Sequence, residues 1–270
     1  MSRYSLDVIC RIAADLANCT KLMGNPLLAY GYLRSGRNPQ TGSFSMGSLH
    51  FQGRKEDWIA IREVLVEDEY SCIDRLFPRD ASPCVLDLGA NIGSFALRMF
   101  LRCPRAQVTS VEAAHDTFQI LEANKRANAS LSWEILNNGV WREDGPLTLM
   151  RRGISVSHRV VEGAGDDAVQ GISLKTLLGR IGWDRVDLIK MDIEGGEEAV
   201  VPAALDALRR TRVLIIEIHT DRIDPAPILS ALRSVYAFHW QLNDRKSSKP
   251  LYIMTNEFLD LGADACRVEV

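Results

Sequence analysis

The chain has 270 residues, of which 46% are hydrophobic and 25% are charged, and its net charge is -3 at pH 7. This is the composition of a soluble globular protein. The slightly acidic balance argues against a nucleic-acid-binding protein, which should carry a basic excess.

The cysteine pattern and the N-terminus indicate where the protein works. Six scattered cysteines form no C-x-x-C pair, and none has a histidine at metal-ligand spacing. Charged residues interrupt the first 23 residues, which therefore predict neither a secretory signal nor a membrane span. Together these features predict a cytoplasmic protein in a reducing compartment, with no membrane partner.

The N-terminal part is predicted to be mainly helical. Apolar residues recur at helical spacing over 6–22, and two short strand-like pieces follow at 42–46 and 48–51. Residues 58–77 predict a helix or a helix pair. We expect residues 1–80 to form a helical cap over a cleft, although an amphipathic first helix can equally mediate a homodimer.

From residue 84 onward, predicted strands alternate with predicted helices. The predicted strands are 84–88, 107–112, 133–138, 186–191, 213–218, 236–242 and 250–255. The predicted helices are 93–102, 116–129, 173–181, 197–209 and 225–234. This alternation is typical of the α/β class, with a doubly wound, mostly parallel sheet and helices on both faces. Residues 81–270 are therefore predicted to be a domain with a seven-stranded sheet.

Residues 145–171 break the alternation. They predict an inserted β-hairpin at 147–150 and 156–161, followed by a flexible acidic loop at 162–167. In such a sheet, ligands bind at the carboxyl ends of the strands. The insertion lies between the third and fourth core strands, so we expect it to reach over that edge.

The first motif reads D-x-G-x-x-x-G, from Asp87 through Gly89 to Gly93. Glycines let the backbone approach a ligand, and the start of the following helix offers free N–H groups. The glycine spacing is wider than the G-x-G-x-x-G of dinucleotide-binding proteins, and Asp87 would repel a pyrophosphate. The pattern disfavours a nicotinamide dehydrogenase and suits the amino-acid portion of S-adenosyl-L-methionine.

The remaining cofactor contacts follow from the order of the strands. Glu112 ends the second strand about 20 residues after the loop, where an acid can accept hydrogen bonds from both ribose hydroxyls. Asp87 is predicted to receive the ammonium group, directly or through water, and Asn91 to bond the backbone or the amino-acid part. Asn138, or the adjacent Asn137, is placed to meet the adenine amine. The predicted cofactor-binding set is Asp87, Gly89, Ala90, Asn91, Gly93, Glu112, Asn138 and Asp192.

A second motif places four ionisable residues after a buried strand: Lys190, Asp192, Glu194 and Glu197. Asp192 and Glu194 alternate, so both side chains leave the same face of the strand end. Glu197 opens a helix, where the dipole favours an acid. So many ionisable groups at the end of a central strand are costly unless a site needs them. We therefore predict that this cluster belongs to an active site.

The two motifs together resemble the FkbM family of S-adenosylmethionine-dependent methyltransferases. The resemblance covers about residues 80–270 and rests on Asp87–Gly93, Lys190–Glu197, Glu112-Ala113, Asn124 and Glu217–His219. Family members often have Glu-Pro where this chain has Glu112-Ala113, which keeps the acid. The resemblance implies a class I methyltransferase fold and methylation of hydroxyl oxygens on sugars, polyketides and related metabolites. It therefore implies a small-molecule acceptor.

Oxygen methylation needs a group that accepts the hydroxyl proton. His219, at the tip of the fifth core strand, is the first candidate base because a neutral imidazole titrates in the useful range. Asp192 is the second candidate, and Glu194 belongs to the same predicted catalytic cluster. His158, in the inserted hairpin, can contact substrate. His219 also has a structural interpretation, as a ring bonded to a loop carbonyl.

Metal use is left open by the sequence. Some methyltransferases with this fold hold the substrate oxygens with a divalent cation. Oxygen and nitrogen ligands are available, but the same residues can form a hydrogen-bond network with Lys190. No spacing requires a metal, so no metal site is predicted, and magnesium stays an alternative. The available ligands are Asp192, Glu194, Glu217 and His219.

Two other functions stay open. Another adenosyl-cofactor enzyme, such as an aminopropyl transferase, would need an acidic polyamine pocket, which the cluster at Asp192 and Glu194 can supply. A non-catalytic cofactor-binding or scaffold protein is the second alternative. The intact glycine loop and acid cluster argue against it.

Overall fold

A computed structural model describes residues 3–34, 41–151, 158–242, 248–261 and 266–267 of the chain. Within these ranges, no helix is long and apolar enough to cross a membrane. The five cysteines whose side chains are described are all free thiols.

The N-terminal part combines helices with one β-hairpin. Its elements are α1 (Arg3–Met23), α2 (Pro26–Arg34), β1 (Thr41–Met46), β2 (Leu49–Arg54), α3 (Trp58–Ile61) and α4 (Ile73–Leu76). The first helix and the two strand-like pieces are confirmed. The helix or helix pair predicted over 58–77 is broken into shorter pieces, because α3 passes into a π-helical turn at Arg62–Val66. Asp68 then has a φ of 54°, and a left-handed residue cannot continue a right-handed helix.

The rest of the chain alternates strands and helices, as predicted. The strands are β3 (Cys84–Leu88), β4 (Gln107–Glu112), β5 (Ser132–Asn137), β6 (Gly139–Trp141), β7 (Gly145–Met150), β8 (Arg159–Val161), β9 (Asp167–Ser173), β10 (Val186–Met191), β11 (Thr211–Glu217), β12 (Phe238–Gln241), β13 (Leu251–Thr255) and β14 (Cys266–Arg267). The helices are α5 (Ser94–Arg102), α6 (His115–Ala127), α7 (Leu174–Ile181), α8 (Glu197–Ala203), α9 (Leu205–Leu208) and α10 (Pro225–Arg233). The helix predicted at 197–209 is divided at Ala204 into α8 and α9.

The main sheet has the strand order β14-β12-β13-β11-β10-β3-β4-β5. Neighbouring strands from β11 to β5 are parallel, while β13 runs antiparallel to β11 and β12 runs antiparallel to β13. This confirms the predicted seven-stranded, mostly parallel sheet, to which β14 adds a two-residue edge strand. The chain order reverses beside β3, whose neighbours are β4 and β10. Open α/β sheets bind ligands at this switch point.

Both faces of the sheet are covered, which is why its central strands are apolar along their whole length. Alternate residues of a strand enter different cores: Leu188 packs with α5 and the N-terminal part, whereas Ile189 packs with α7, α8 and α10. Both side chains have no exposed surface. The rigid centre of the sheet thus holds the ends of β3, β4 and β10 in place.

A second sheet of order β6-β9-β7-β8 follows β5 in the chain. The predicted hairpin is confirmed as the antiparallel pair β7 and β8, although residues 152–157 lie outside the described residues. The predicted flexible acidic loop is wrong at its end, because Asp167 begins β9 and pairs with β7. Arg151 explains this: its backbone N–H donates to Asp166 and its Nε donates to Asp167, both at 2.6 Å.

Candidate active site

The backbone of the glycine loop between β3 and α5 closely approaches the backbone of a second loop at Asp192. Gly89 has a φ of +77°, and a Cβ on it would lie 1.8 Å from the carbonyl oxygen of Asp192. No larger residue fits there without moving one of the two loops. Gly93 has a φ of +91°, but its missing Cβ leaves room for the side chains of Trp133 and Leu121. Gly89 is therefore required where two loops meet, and Gly93 is required for packing.

Glu112 ends β4 and folds back onto the glycine loop. Its Oε2 accepts a hydrogen bond from the Asn91 N–H at 2.8 Å, and its Oε1 accepts one from the Ala114 N–H at 2.8 Å. Burial raises the pKa of Glu112 to about 7, although both N–H groups favour the charged form. Each oxygen keeps a lone pair for a further donor.

A cavity of about 460 Å³ opens where β3, β4 and β10 end. The N-terminal part supplies one wall, including Glu63, Glu69 and Tyr70. This placement is the one expected of a cap, while the domain boundary at residue 80 stays a prediction. The predicted site residues that line the cavity are Gly89, Ala90, Asn91, Glu112, Asn138, Asp192 and Glu194. Asp87, Gly93 and His219 are not among the lining residues.

Asp87 lies behind the cavity wall. Its carboxyl group has no exposed surface, its Oδ2 accepts a hydrogen bond from Ser110 Oγ at 3.1 Å, and its Oδ1 lies 3.6 Å from Lys190 Nζ. Burial raises its pKa, despite the nearby ammonium. The structure therefore offers no direct contact between Asp87 and a ligand's ammonium group. The water-mediated contact stays a prediction.

The two asparagines at the end of β5 face different ways. Asn137 Nδ2 donates to the backbone oxygens of Glu112 and Ala113, at 2.8 and 3.1 Å. Asn138 instead lines the cavity, and its Nδ2 donates to Gln170 O at 2.9 Å. Of the two residues considered for the adenine amine, Asn138 is the one that faces the cavity.

His219 lies beneath the cavity floor, surrounded by carboxylates. The ring has no exposed surface, and its Nδ1 lies 3.1 Å from Glu197 Oε1. Its Nε2 lies 3.2 Å from Glu194 Oε2, 3.4 Å from Glu217 Oε1 and 3.7 Å from Asp192 Oδ1. The structure thus brings the whole predicted catalytic set together around one imidazole.

This environment argues against His219 as a general base. Burial alone would lower its pKa, but the carboxylates of Glu194 and Glu197 outweigh burial and raise the pKa to about 10. A ring that holds its proton at neutral pH cannot accept another. The predicted base role is therefore corrected: the ring is too deep and too strongly stabilised as a cation.

Three cations neutralise part of this acidic cluster. Lys190 Nζ donates to Gly89 O at 2.8 Å and lies 3.5 Å from Asp192 Oδ2. Arg222 Nη1 donates to Glu194 Oε2. Lys249 Nζ lies 3.5 Å from Glu194 Oε1 and 3.7 Å from Glu217 Oε1. Lys190 is thus close enough to Asp192 for an ion pair, and the choice between a metal and a hydrogen-bond network with these acids stays a prediction.

His158 is the histidine that faces the cavity. It immediately precedes β8, and its Nδ1 is buried without a hydrogen-bond partner in the described part of the chain. Burial lowers its pKa, and the Arg151 guanidinium lowers it further. At neutral pH this ring is therefore uncharged and keeps a free lone pair.

Some lining residues were missed by the sequence analysis. Lys249 had a signal, because it precedes a strand antiparallel to β11, and such a strand starts where β11 ends. Glu63 and Glu69 had none, since they lie in the broken helical region whose path depends on packing. Burial raises the pKa of Glu69 to about 7.

Comparison with known proteins is consistent with this geometry. A family model described as the methyltransferase FkbM domain matches residues 87–239. The AMB antimetabolite synthetase AmbE of Pseudomonas aeruginosa is 28% identical over 204 residues, which cover 60% of this chain and 9% of AmbE. The chain thus spans less than a tenth of that relative.

Solved structures give weaker likenesses. Methyltransferase FkbM from Methylobacillus flagellatus is 14% identical, with a TM-score of 0.49, over 73% of this chain and 53% of that one. A precorrin-6y C5,15-methyltransferase from Geobacter metallireducens is 13% identical, with a TM-score of 0.40, over 70% and 85% of the two chains. The bifunctional kinase-methyltransferase WbdD is 14% identical, with a TM-score of 0.44, over 79% and 44%.

Proposed function

Because this chain belongs to the FkbM methyltransferase domain family, we propose that it transfers a methyl group from S-adenosyl-L-methionine to a hydroxyl oxygen of a small molecule. The observation that carries the cofactor assignment is Glu112: a carboxylate lines the cavity at the end of β4 and is fixed by two backbone N–H groups. Family membership favours methyl transfer over the aminopropyl transferase and scaffold alternatives.

The residues around the cavity fit the proposed cofactor. The free lone pairs of Glu112 suit the two hydroxyls of a ribose. Asn138 presents an amide at the same edge of the sheet. Asn91 has a φ of 51°, which turns the backbone of the glycine loop at this position. When bound, the cofactor would supply an electrophilic methyl group on a positively charged sulfur. The carboxylate of Asp192 gives the cavity the opposite charge.

The hydroxyl acceptor must lose its proton as the new bond to carbon forms. His158 is the residue we assign to this proton, because its side chain lines the cavity and because burial and the Arg151 guanidinium lower the pKa of its ring. His158 immediately precedes strand β8 and lines the same cavity as the glycine loop. The acceptor class is supported by the name of AmbE, an antimetabolite synthetase, which indicates small-molecule biosynthesis in that relative.

Calorimetry with S-adenosylhomocysteine tests the proposal. We expect wild-type protein to bind it and Glu112→Ala to bind at least about tenfold more weakly, a loss of about 1.4 kcal/mol. Glu134→Ala is the matched control, since that carboxylate lies on the neighbouring strand β5 with 78% of its side chain exposed. Absence of binding to wild-type protein, or binding of NAD instead, would refute the proposal.

A further inference from the structure

We propose that Asp192, Glu194 and His219 bind a divalent first-row transition-metal ion at the floor of the cavity. Their ligand atoms all lie within 4.8 Å of one another, and the Nε2 of His219 is 3.2 Å from Glu194 Oε2 and 3.7 Å from Asp192 Oδ1. Around an ion with bonds of about 2.1 Å, ligand atoms stand about 3.0 Å apart at right angles and about 3.4 Å apart in a tetrahedron. The observed separations therefore need little adjustment.

The orientation of His219 is the strongest support for the site. Its Nδ1 is engaged by Glu197, a carboxylate with no exposed surface, at 3.1 Å. In metal sites, a carboxylate that is hydrogen-bonded to one ring nitrogen of a histidine usually orients the other nitrogen towards the metal. Here the other nitrogen, Nε2, is fully buried, has no hydrogen-bond partner among the described residues and lies 3.2 Å from Glu194 Oε2. Asp192 Oδ1, 3.7 Å from Nε2, is also buried and has no hydrogen-bond partner in the part of the chain that the structure describes.

Glu194 is held in place for such a role by its backbone. It has a φ of 57°, a left-handed conformation that non-glycine residues rarely adopt and that tends to occur at functional sites. Arg222 donates to its side chain and to its carbonyl oxygen, which fixes the carboxylate over the imidazole. A carboxylate oxygen that accepts one hydrogen bond keeps a lone pair for a metal.

The side chains around the ring carry more negative than positive charge. Five carboxylates lie in or beside the cluster (Asp87, Asp192, Glu194, Glu197 and Glu217), against three basic side chains (Lys190, Arg222 and Lys249). When all five carboxyl groups are ionised and the ion has displaced the Nε2 proton that His219 otherwise holds, the difference, three minus five, is two negative charges around a neutral imidazole. A divalent ion balances this difference.

The donor set also indicates the kind of ion. Imidazole suits zinc, iron, nickel and copper, whereas carboxylates suit magnesium, calcium and manganese, so the imidazole in this set favours a transition-metal ion over Mg²⁺. Glu217 is a fourth candidate ligand, 3.4 Å from Nε2, and lines the cavity. A role for this ion in orienting an acceptor oxygen rests on the proposed function, whereas the site itself does not.

Electron paramagnetic resonance with Mn²⁺ alone tests the site without any methyl-transfer assay. We expect wild-type protein to take up one Mn²⁺ per chain and to show nitrogen modulation from one coordinated imidazole. Asp192→Asn and His219→Gln should each weaken binding at least about tenfold, and His219→Gln should remove the modulation. Glu69→Gln, which removes a carboxylate from the same cavity but not from the ligand set, should leave affinity within about twofold.

Three outcomes would overturn the site, and two of them need no variant. Wild-type protein that leaves Mn²⁺ free, or binds it without nitrogen modulation, has no histidine site, whether or not the variants fold. An equal loss in Glu69→Gln and Asp192→Asn would show diffuse attraction to an acidic cavity. S-adenosylhomocysteine calorimetry on the same samples separates the two proposals: Mn²⁺ uptake without that binding would support the site and refute the proposed function.

Discussion

At the scale of single residues, Glu112 combines a buried carboxylate with a cavity-facing position. Its two oxygens are fixed by the N–H groups of Asn91 and Ala114, so ligand binding needs no rearrangement of the side chain. Burial nevertheless raises its pKa to about 7. The carboxyl group therefore changes its charge in the pH range where the protein can be studied without unfolding it.

We expect the affinity for S-adenosylhomocysteine to rise with pH. Ribose hydroxyls donate hydrogen bonds to the ionised carboxylate, so binding favours that form and releases a proton below the pKa. With a pKa of about 7, the ionised fraction rises about tenfold from pH 6 to pH 8, and affinity should rise by the same factor and level off above pH 8. Calorimetry across this range measures the slope.

Two variants separate Glu112 from other titrating groups. Glu112→Gln cannot ionise, so its weaker affinity should not change with pH. Glu134→Gln, whose carboxylate is exposed on the neighbouring strand, should keep the wild-type slope. A wild-type affinity that stays constant between pH 6 and pH 8 would contradict a direct contact between Glu112 and the ligand.

Residues at strand ends could be predicted, because parallel strands bring their carboxyl ends to one edge of a sheet. That reasoning placed Gly89, Glu112, Asn138 and Asp192 around one cavity. It could not predict how deeply each side chain is buried. His219 follows the end of β11, but it is covered by Asp192 and Glu194, which follow β10, and by Glu197 of α8. It also could not single out His158, whose position depends on how the second sheet packs against the first.

At the scale of elements, α6 holds the N-terminal hairpin through two asparagine side chains. Asn124 Oδ1 accepts from Gln52 N at 2.7 Å, while its Nδ2 donates to Gln52 O at 3.0 Å and to Ile92 O at 2.9 Å. Asn128 pairs in the same way with both backbone groups of His50. The amides thus replace the missing neighbour strand of β2, and Asn124 also connects the hairpin to the glycine loop.

We expect Asn124→Ala to destabilise the protein by about 2–4 kcal/mol, since roughly 1–3 kcal/mol accompanies each buried polar group left unpaired. Asn124→Asp should be at least as damaging, because a carboxylate would face two carbonyl oxygens. Urea unfolding followed by circular dichroism measures both. Gln119→Ala, on the exposed side of the same helix, should change the free energy of unfolding by less than about 0.5 kcal/mol. Equal stability of Asn124→Ala and Gln119→Ala would show that α6 does not hold the hairpin.

The β/α elements were predictable because their apolar periods are long and regular. Two segments were not. The acidic stretch before β9 reads as a loop because its partner is distant in the chain: the backbone N–H of Arg151, which follows β7, donates to Asp166, and its guanidinium pairs with Asp167. The helical region from 58 to 77 has an apolar period, but the left-handed turn at Asp68 is stabilised by Arg98, which lies in α5 and pairs with both Asp68 and Asp74. Such long-range pairs leave no local pattern.

At the scale of the whole molecule, the N-terminal part and the sheet share one hydrophobic core. The same cluster of buried side chains contains Cys19 of α1, Phe44 and Phe51 of the hairpin, Phe95 of α5 and Ile253 of β13. Phe44 also stacks on Phe51, with ring centroids 5.4 Å apart. The predicted boundary at residue 80 therefore crosses a continuous core. Domains that unfold independently are joined by linkers where few contacts cross.

We expect the chain to unfold in one cooperative transition, because separating residues 1–80 from the sheet would expose the shared core. In scanning calorimetry the van't Hoff and calorimetric enthalpies should agree, which is the test of two-state unfolding. Removal of residues 1–80 should leave a chain that aggregates or lacks a transition. Removal of residues 1–12 is the control, since the side chains described there are exposed, including Ile9 and Ile12 at 55% and 62%. Two separate transitions, or a folded 81–270 fragment that binds S-adenosylhomocysteine, would show instead that the cap is an independent domain.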